Sequence, residues 1–344
     1  MTAPEDEMAS LAISSQSKAM LAKVRKLVPP LLEHFHKGQL GRVAVIGGSA
    51  DYTGAPYFSA MASARLGCDL SYVFCEPSAA PTIKSYSPNL MVSPILRSVH
   101  SLSKEQQADQ PDGPALAEPI ISMLPRLHVL VIGPGLGRDV VTQKQVKEVI
   151  KAARKNDPPL PMVLDADALW LIQEEPSLIE GYKECILTPN VVEFGRLAKK
   201  LGVKTDGDAS KVCQSLADRL GGVCIIQKGP VDHISQGRET TTSDFEGGLK
   251  RSGGQGDTLT GSLGTFLAWR QIYHEGLWDV GKEPMDRAET LLVAAFAGSA
   301  ITRECSRRAY RKMQRSLQAS DLTEEVHASF LALVGEPDSQ KSNL

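Results

Sequence analysis

Short apolar runs recur along the chain, and most are apolar throughout instead of alternating with polar positions: Arg42 to Ile46, Leu70 to Cys75, His128 to Ile132, Met162 to Leu164, Cys185 to Leu187 and Val223 to Gln227. Helical stretches separate them, which is the spacing of successive βαβ units. A strand with no polar face is covered on both sides, so the pattern predicts a three-layer α/β/α fold with a mostly parallel central sheet. Val231 to Ser235 and Glu239 to Ser243, separated by Gln236-Gly237-Arg238, predict a short antiparallel hairpin added to that sheet. Between Ser101 and Pro119 the chain turns polar and proline-rich, the signature of a surface excursion. Helical pattern returns over Arg287 to Arg303 and Leu322 to Val334. The expected organisation is a partly helical N-terminal extension over 1–30, a single domain over 31–334 and a polar tail over 335–344.

Composition narrows the picture. At 344 residues and 42% hydrophobic content, the chain can bury one large core. The formal net charge of -2 gives no electrostatic reason to expect nucleic acid or an anionic membrane surface as partner. Basic residues gather only between Arg303 and Arg315, which reads as the solvated face of a late helix. The six cysteines are scattered without a Cys-x-x-Cys pair and read as reduced core residues. The seven histidines form no zinc-type cluster, so any metal is expected to arrive with a nucleotide. Met1 to Glu7 is acidic and lacks an apolar signal segment, pointing to a cytoplasmic protein; a start at Met8 would give a Ser-rich, basic leader and a mitochondrial form. The composition leaves a homo-oligomer open.

The candidate chemistry sits at turns after the predicted strands, because the carboxyl ends of a parallel sheet share one edge. Gly253-Gly254-Gln255-Gly256-Asp257 is the most informative of them, leading into the apolar run Thr258 to Trp269. Bare amides at a helix start attract phosphate oxygens, and a carboxylate beside them suits a base for an incoming hydroxyl. An aspartate N-cap is the plain alternative. The turn from Gly47 to Pro56 is either a tight strand-to-helix connection or a seat for Tyr52 beside a substrate ring. Gly133-Pro134-Gly135-Leu136-Gly137-Arg138 lacks the spacing of a dinucleotide fingerprint, yet suits a loop approaching phosphate. Asp165-Ala166-Asp167 places two acids at a helix start, where either could cap. Asn190 and Glu193 share a first helical turn; they could hold water on a magnesium ion or cap the helix reciprocally. Lys228, leaving a buried strand, either neutralises phosphates or stands exposed at a turn.

Taken together, Asn190-x-x-Glu193 and Gly254-x-Gly256-Asp257 resemble the paired motifs of the ribokinase-like superfamily, which uses a helix-start anion hole, an aspartate base and Mg-ATP. With Gly47 to Pro56, Gly133 to Gly137, Asp165 to Leu169 and Thr188 to Asn190, the chain is similar to one branch, the ATP-dependent NAD(P)H-hydrate dehydratases, from about Phe35 to Ala309. The resemblance implies ATP and Mg2+ as cofactors, the S epimer of hydrated NADH or NADPH as substrate, and functional coupling to an epimerase. It implies Asp257 as catalytic base, with Gly254 and Gly256 in the amide cradle. ATP is implied against Lys228, Gly229, Pro230, Val231, Asp232, Gly247, Gly248, Ser252, Gly253, Gly254, Gln255 and Gly256. The substrate is implied against Gly135, Gly137, Asn190, Val191, Val192, Glu193, Phe194, Gly195, Arg196 and Asp257, with Tyr52 near the damaged ring. Asn190 and Glu193 would reach the metal through water. Two other readings stand beside this one: a kinase phosphorylating a hydroxyl of a vitamin precursor, and a nucleotide-binding regulator without catalysis. Retention of Asp257, Asn190 and Glu193 together argues against the regulator.

Overall fold

The computed structural model describes residues 13–104 and 112–337. The acidic start with Met8, residues 105–111 of the expected surface excursion and residues 338–344 of the tail lie outside the described residues. The strands are β1 Arg42–Ile46, β2 Leu70–Phe74, β3 Met91–Ser93, β4 Val129–Ile132, β5 Met162–Leu164, β6 Cys185–Leu187, β7 Cys224–Gln227, β8 Asp232–Ser235 and β9 Thr240–Ser243. They form one sheet in the order β3-β2-β1-β4-β5-β6-β7-β8-β9. Pairing is parallel from β3 through β7, and β8 and β9 add the expected antiparallel hairpin. Strand β3 has no counterpart among the predicted runs: three edge residues, of which only Val92 is buried, are too few to show a period.

The helices are α1 Ser15–Leu27, α2 Gly54–Leu66, α3 Ala80–Tyr86, α4 Gly113–Ile121, α5 Val140–Lys155, α6 Asp167–Glu174, α7 Val191–Lys200, α8 Ala209–Arg219, α9 Gln255–His274, α10 Arg287–Met313, α11 Ala319–Glu324 and α12 Val326–Leu333. Alternate strand residues feed two cores. Val43, Val45, Val129 and Val131 pack under α1, α2, α9, α10 and α12, while Ala44, Ile46, Leu130 and Ile132 pack under α4 to α8. That double coverage is why the strands read as continuous apolar runs, and each fully buried Val, Leu or Ile contributes roughly 1.5–3 kcal/mol. In α9 every residue from Asp257 to Tyr273 is buried between α2 and α10, so its sequence carries no polar stripe. All six cysteines are free and buried. Among the described residues no helix is long and apolar enough to cross a membrane.

Two helical expectations are corrected. Helix α10 runs through the basic stretch: Arg311 and Lys312 are exposed as expected of a solvated face, whereas Arg303, Arg307 and Arg308 are only partly exposed members of ion pairs. The last helical region breaks at Glu325 into α11 and α12.

Strand β1 is flanked by β2 on one side and β4 on the other, so the winding reverses between β1 and β4. A crevice opens at such a switch, outside the carboxyl ends of the strands. Every turn singled out for its chemistry lies along that edge.

Candidate active site

The loops at the carboxyl edge pack against one another closely. A Cβ at Gly133 would sit 1.8 Å from the Asp165 carbonyl oxygen, so glycine alone lets the β4 loop lie on the β5 loop. Between the acids of the β5 loop, Ala166 adopts φ 49°, a conformation costing a non-glycine residue about 1–3 kcal/mol. That twist sends the two aspartates different ways. Asp167 accepts from the Gly137 amide at 2.9 Å and from Arg138 Nε at 3.0 Å, bracing the β4 loop. Asp165 is buried and accepts from Thr188 Oγ1 at 2.8 Å and Lys228 Nζ at 3.1 Å. Neither side chain caps α6, so the capping reading of this pair is corrected.

Helix α9 begins at Gly254, whose φ of 85° turns the chain into the helix without a side-chain cap. The Asp257 amide bonds the Gly254 carbonyl at 3.1 Å, while the amides of Gln255 and Gly256 have no acceptor among the described residues. Two unclaimed donors at a helix start make an anion seat. The Gln255 side chain braces the approach loop by donating to the Lys250 carbonyl and Ser252 Oγ, both at 3.0 Å. Asp257 is 7% exposed, and it does not serve as the N-cap. Burial, then the charge of Asp165, pushes its carboxyl well above the ordinary range, with Lys228 pulling the other way. Lys228 is held cationic by Asp165, Glu193 and Asp257 against the cost of burial. Glu193 is raised by burial and by Asp165, opposed by its bond to the Asn190 amide and by Lys228 and Arg196. Three carboxylates thus surround one ammonium.

On one side of this cluster lies a cleft of about 200 Å³ bordered by Lys228, Gly229, Asp232, Gly247, Arg251, Gln255 and Gly256. Pro230 and Val231 continue its β7–β8 loop, while Gly248 donates to Ser306 Oγ at 3.1 Å and Ser252 and Gly253 lead into α9. The Asp232 carboxylate is spent within the protein: it accepts from the Gly229 amide at 3.1 Å, Ser299 Oγ at 2.7 Å and Arg303 Nε at 2.9 Å. Arg303 also donates to the carbonyls of Gly229 and Pro230, at 2.7 and 2.8 Å. Asp232 and Arg303 therefore fix the loop that borders the cleft. Thr302, Arg303, Ser306 and Leu322 line it as well and were not singled out from the sequence. A signal existed in the spacing of Ser299, Arg303 and Ser306, which share one face of α10.

On the other side, Asn190 and Glu193 form the reciprocal cap that was one of their two readings. Asn190 Oδ1 accepts from the amides of Val192 and Glu193 at 2.9 and 3.0 Å, and Glu193 Oε2 accepts from the Asn190 amide at 2.8 Å. Val191 and Val192 are exposed, Gly195 and Arg196 lie on the outer turn, and Phe194 is turned into the core at 3% exposure. The Phe194 side chain packs in the core beneath this turn. Tyr52 is 58% exposed at the rim, and the Gly135 carbonyl takes the Gly48 amide at 3.0 Å. Among the described residues no group of three or more His, Cys, Asp or Glu is arranged to hold a metal directly.

This arrangement has relatives. Residues 43–328 match the family model for NAD(P)H-hydrate dehydratase. The ATP-dependent (S)-NAD(P)H-hydrate dehydratase of Emericella nidulans is 59% identical over 363 residues, covering 96% of this chain and 97% of its own. Among solved structures, a ribokinase-like superfamily protein from Enterococcus faecalis superposes with TM-score 0.67 at 20% identity, covering 94% of this chain and 99% of its own. The ADP/ATP-dependent NAD(P)H-hydrate dehydratase of Bacillus subtilis, co-crystallised with ATP/Mg2+, gives TM-score 0.62 at 19% identity, covering 91% and 97%. The fold is ribokinase-like, and the chain belongs to the NAD(P)H-hydrate dehydratase family.

Proposed function

We propose that this chain dehydrates the S epimer of hydrated NADH and NADPH at the expense of ATP, releasing the reduced dinucleotide, ADP and phosphate. The observation that carries the reading is Asp257, a buried carboxylate of raised pKa beside two unclaimed helix-start amides and the ammonium of Lys228. Hydroxide leaves poorly. Asp257 takes the proton of the ring hydroxyl as its oxygen attacks the γ-phosphorus, ADP departs, and the amides of Gln255 and Gly256 receive the charge on the moving phosphoryl oxygens. The ring nitrogen lone pair then expels phosphate, and the neighbouring ring carbon loses a proton to restore the double bond.

ATP is proposed in the cleft between Gly229 and Gly247, with Lys228 toward its phosphates. The donor set suits an outer-sphere hold on Mg2+. Asn190 is committed to its cap, whereas Glu193 Oε1 carries no hydrogen bond among the described residues and can accept from a metal-bound water. When bound, the ion would neutralise phosphate charge. Because only one epimer presents its hydroxyl to Asp257, an enzyme interconverting the epimers is the functional partner.

Incubating the purified protein with hydrated NADH, ATP and Mg2+ should restore the absorbance of the reduced nicotinamide ring with one phosphate released per ring. Failure to recover it with ATP would overturn the proposal, and a phosphorylated product in place of free phosphate would identify a small-molecule kinase.

A further inference from the structure

On the side of Glu193 away from the nucleotide cleft, the loops after β4, β5 and β6 enclose a shallow notch whose walls include Arg138, Ala166, Trp170, Glu193 and Arg196. Ala166 and Glu193 belong to both places: Ala166 follows Asp165 in the chain, and Glu193 helps hold Lys228 cationic. The notch therefore continues the charged cluster along the sheet edge. Arg138 lies over the Trp170 ring, its Cζ 5.6 Å from the centroid, and its side chain stays 55% exposed. Its Nε goes to Asp167 at 3.0 Å, which leaves both Nη groups without a protein partner among the described residues. A guanidinium stacked on an indole and tethered through Nε is pre-organised to present its remaining donors to a phosphate. Arg196 adds a second cation to the lining of the notch.

Resting on the proposed activity, we infer that Arg138 on its Trp170 platform, with Arg196, is the contact for a phosphate of the substrate's adenosine half. With the nicotinamide ring at Asp257 and ATP on the Gly229 side, the rest of the dinucleotide has this stretch of the rim, with its two arginines, open to it.

The test is steady-state kinetics of Arg138→Ala, Arg138→Gln and Trp170→Leu with hydrated NADH and hydrated NADPH. Glutamine keeps a donor for Asp167 and loses the charge, so it separates phosphate recognition from loop bracing. Losing a charge-assisted hydrogen bond raises KM about tenfold or more, with kcat and the KM for ATP held. A rise for NADPH hydrate alone assigns the 2′-phosphate; a rise for both assigns the pyrophosphate. KM values within about twofold of the wild type, or a fall in kcat at constant KM, would overturn the inference. Should the wild type turn over neither hydrate, the proposed activity fails instead, and titrating the same variants with ADP-ribose and its 2′-phosphate still tests the notch.

Discussion

The two edges of the sheet bury ionised groups to a similar depth and treat them in opposite ways. At the amino edge, Arg270 is 1% exposed and fully provided for: Glu184 takes both Nη groups, the Arg287 carbonyl accepts at 2.8 Å and Thr290 Oγ1 at 3.1 Å. At the carboxyl edge, Asp165, Glu193 and Asp257 crowd one ammonium, Ala166 is strained, and two amides at the start of α9 lack acceptors. One set of buried charges closes on itself; the other is left short of positive charge and open to a ligand. Helix α9 joins them, with Asp257 in its first turn and Arg270 just before its last.

The comparison breaks or holds on the same chemical change made at both ends, carboxylate to amide. Asp257→Asn should lower kcat by about 10²–10⁴ while leaving ATP affinity largely intact, because a general base is lost and no binding group. It should also raise unfolding stability, by about 0.5–2 kcal/mol, since it relieves a buried charge that its neighbours disfavour. Near-normal turnover in that variant would remove Asp257 from the chemistry. Glu184→Gln should do the reverse. It leaves the Arg270 guanidinium buried with its charge uncompensated, a loss of about 3–5 kcal/mol in denaturant unfolding, with kcat of the surviving folded enzyme near that of the wild type. Equal losses of turnover at both positions would erase the distinction between the edges.

These two ends were unequally visible in the sequence. Strands buried on both faces leave continuous apolar runs, so six of the nine strands were legible that way and the hairpin pattern added β8 and β9, while Gly254 to Asp257 stood out as bare amides and a carboxylate ahead of an apolar helix. What was not legible depends on partners far along the chain. Asp165-Ala166-Asp167 showed two acids, but only the fold reveals that one meets Lys228, 63 positions later, while the other braces Gly137. The same holds for Arg303 and Asp232, separated by 71 positions. Short-range pattern fixes elements; the sharing of a carboxylate is set by which strands end side by side.

Lys228 sharpens the carboxyl-edge half of the comparison. In Lys228→Met, Asp165 and Asp257 face each other without a counter-charge, so the Asp257 pKa climbs further and the base is protonated over a wider range. Turnover near neutral pH should fall roughly tenfold or more, and the acidic limb of the pH–rate profile should move to higher pH, so that raising the pH recovers part of the loss. A uniform loss at every pH would mean that Lys228 acts on nucleotide binding alone.

The smallest effect lies at the amino edge and concerns acid. His128, just before β4, is buried with Nδ1 unpartnered among the described residues; burial, then Arg42, lowers its pKa from 6.5 to about 4. Below pH 6.5 the unfolded chain takes up a proton that the folded one refuses. The contribution of His128 is therefore fully present above pH 6.5 and is lost as pH falls toward 4, by about 0.8 kcal/mol already at pH 6. Asp257 has the opposite sign, since its raised pKa means that folding grows less favourable as pH rises from 3.8 toward its folded value. Denaturant melts from pH 4 to pH 8 should show His128→Gln flattening the loss of stability on the acid side and Asp257→Asn removing a decline of stability with rising pH, each without touching the other. If His128→Gln leaves the acid slope unchanged, the amino edge owes its acid sensitivity to some other buried group, and the opposition between the two edges no longer extends to pH.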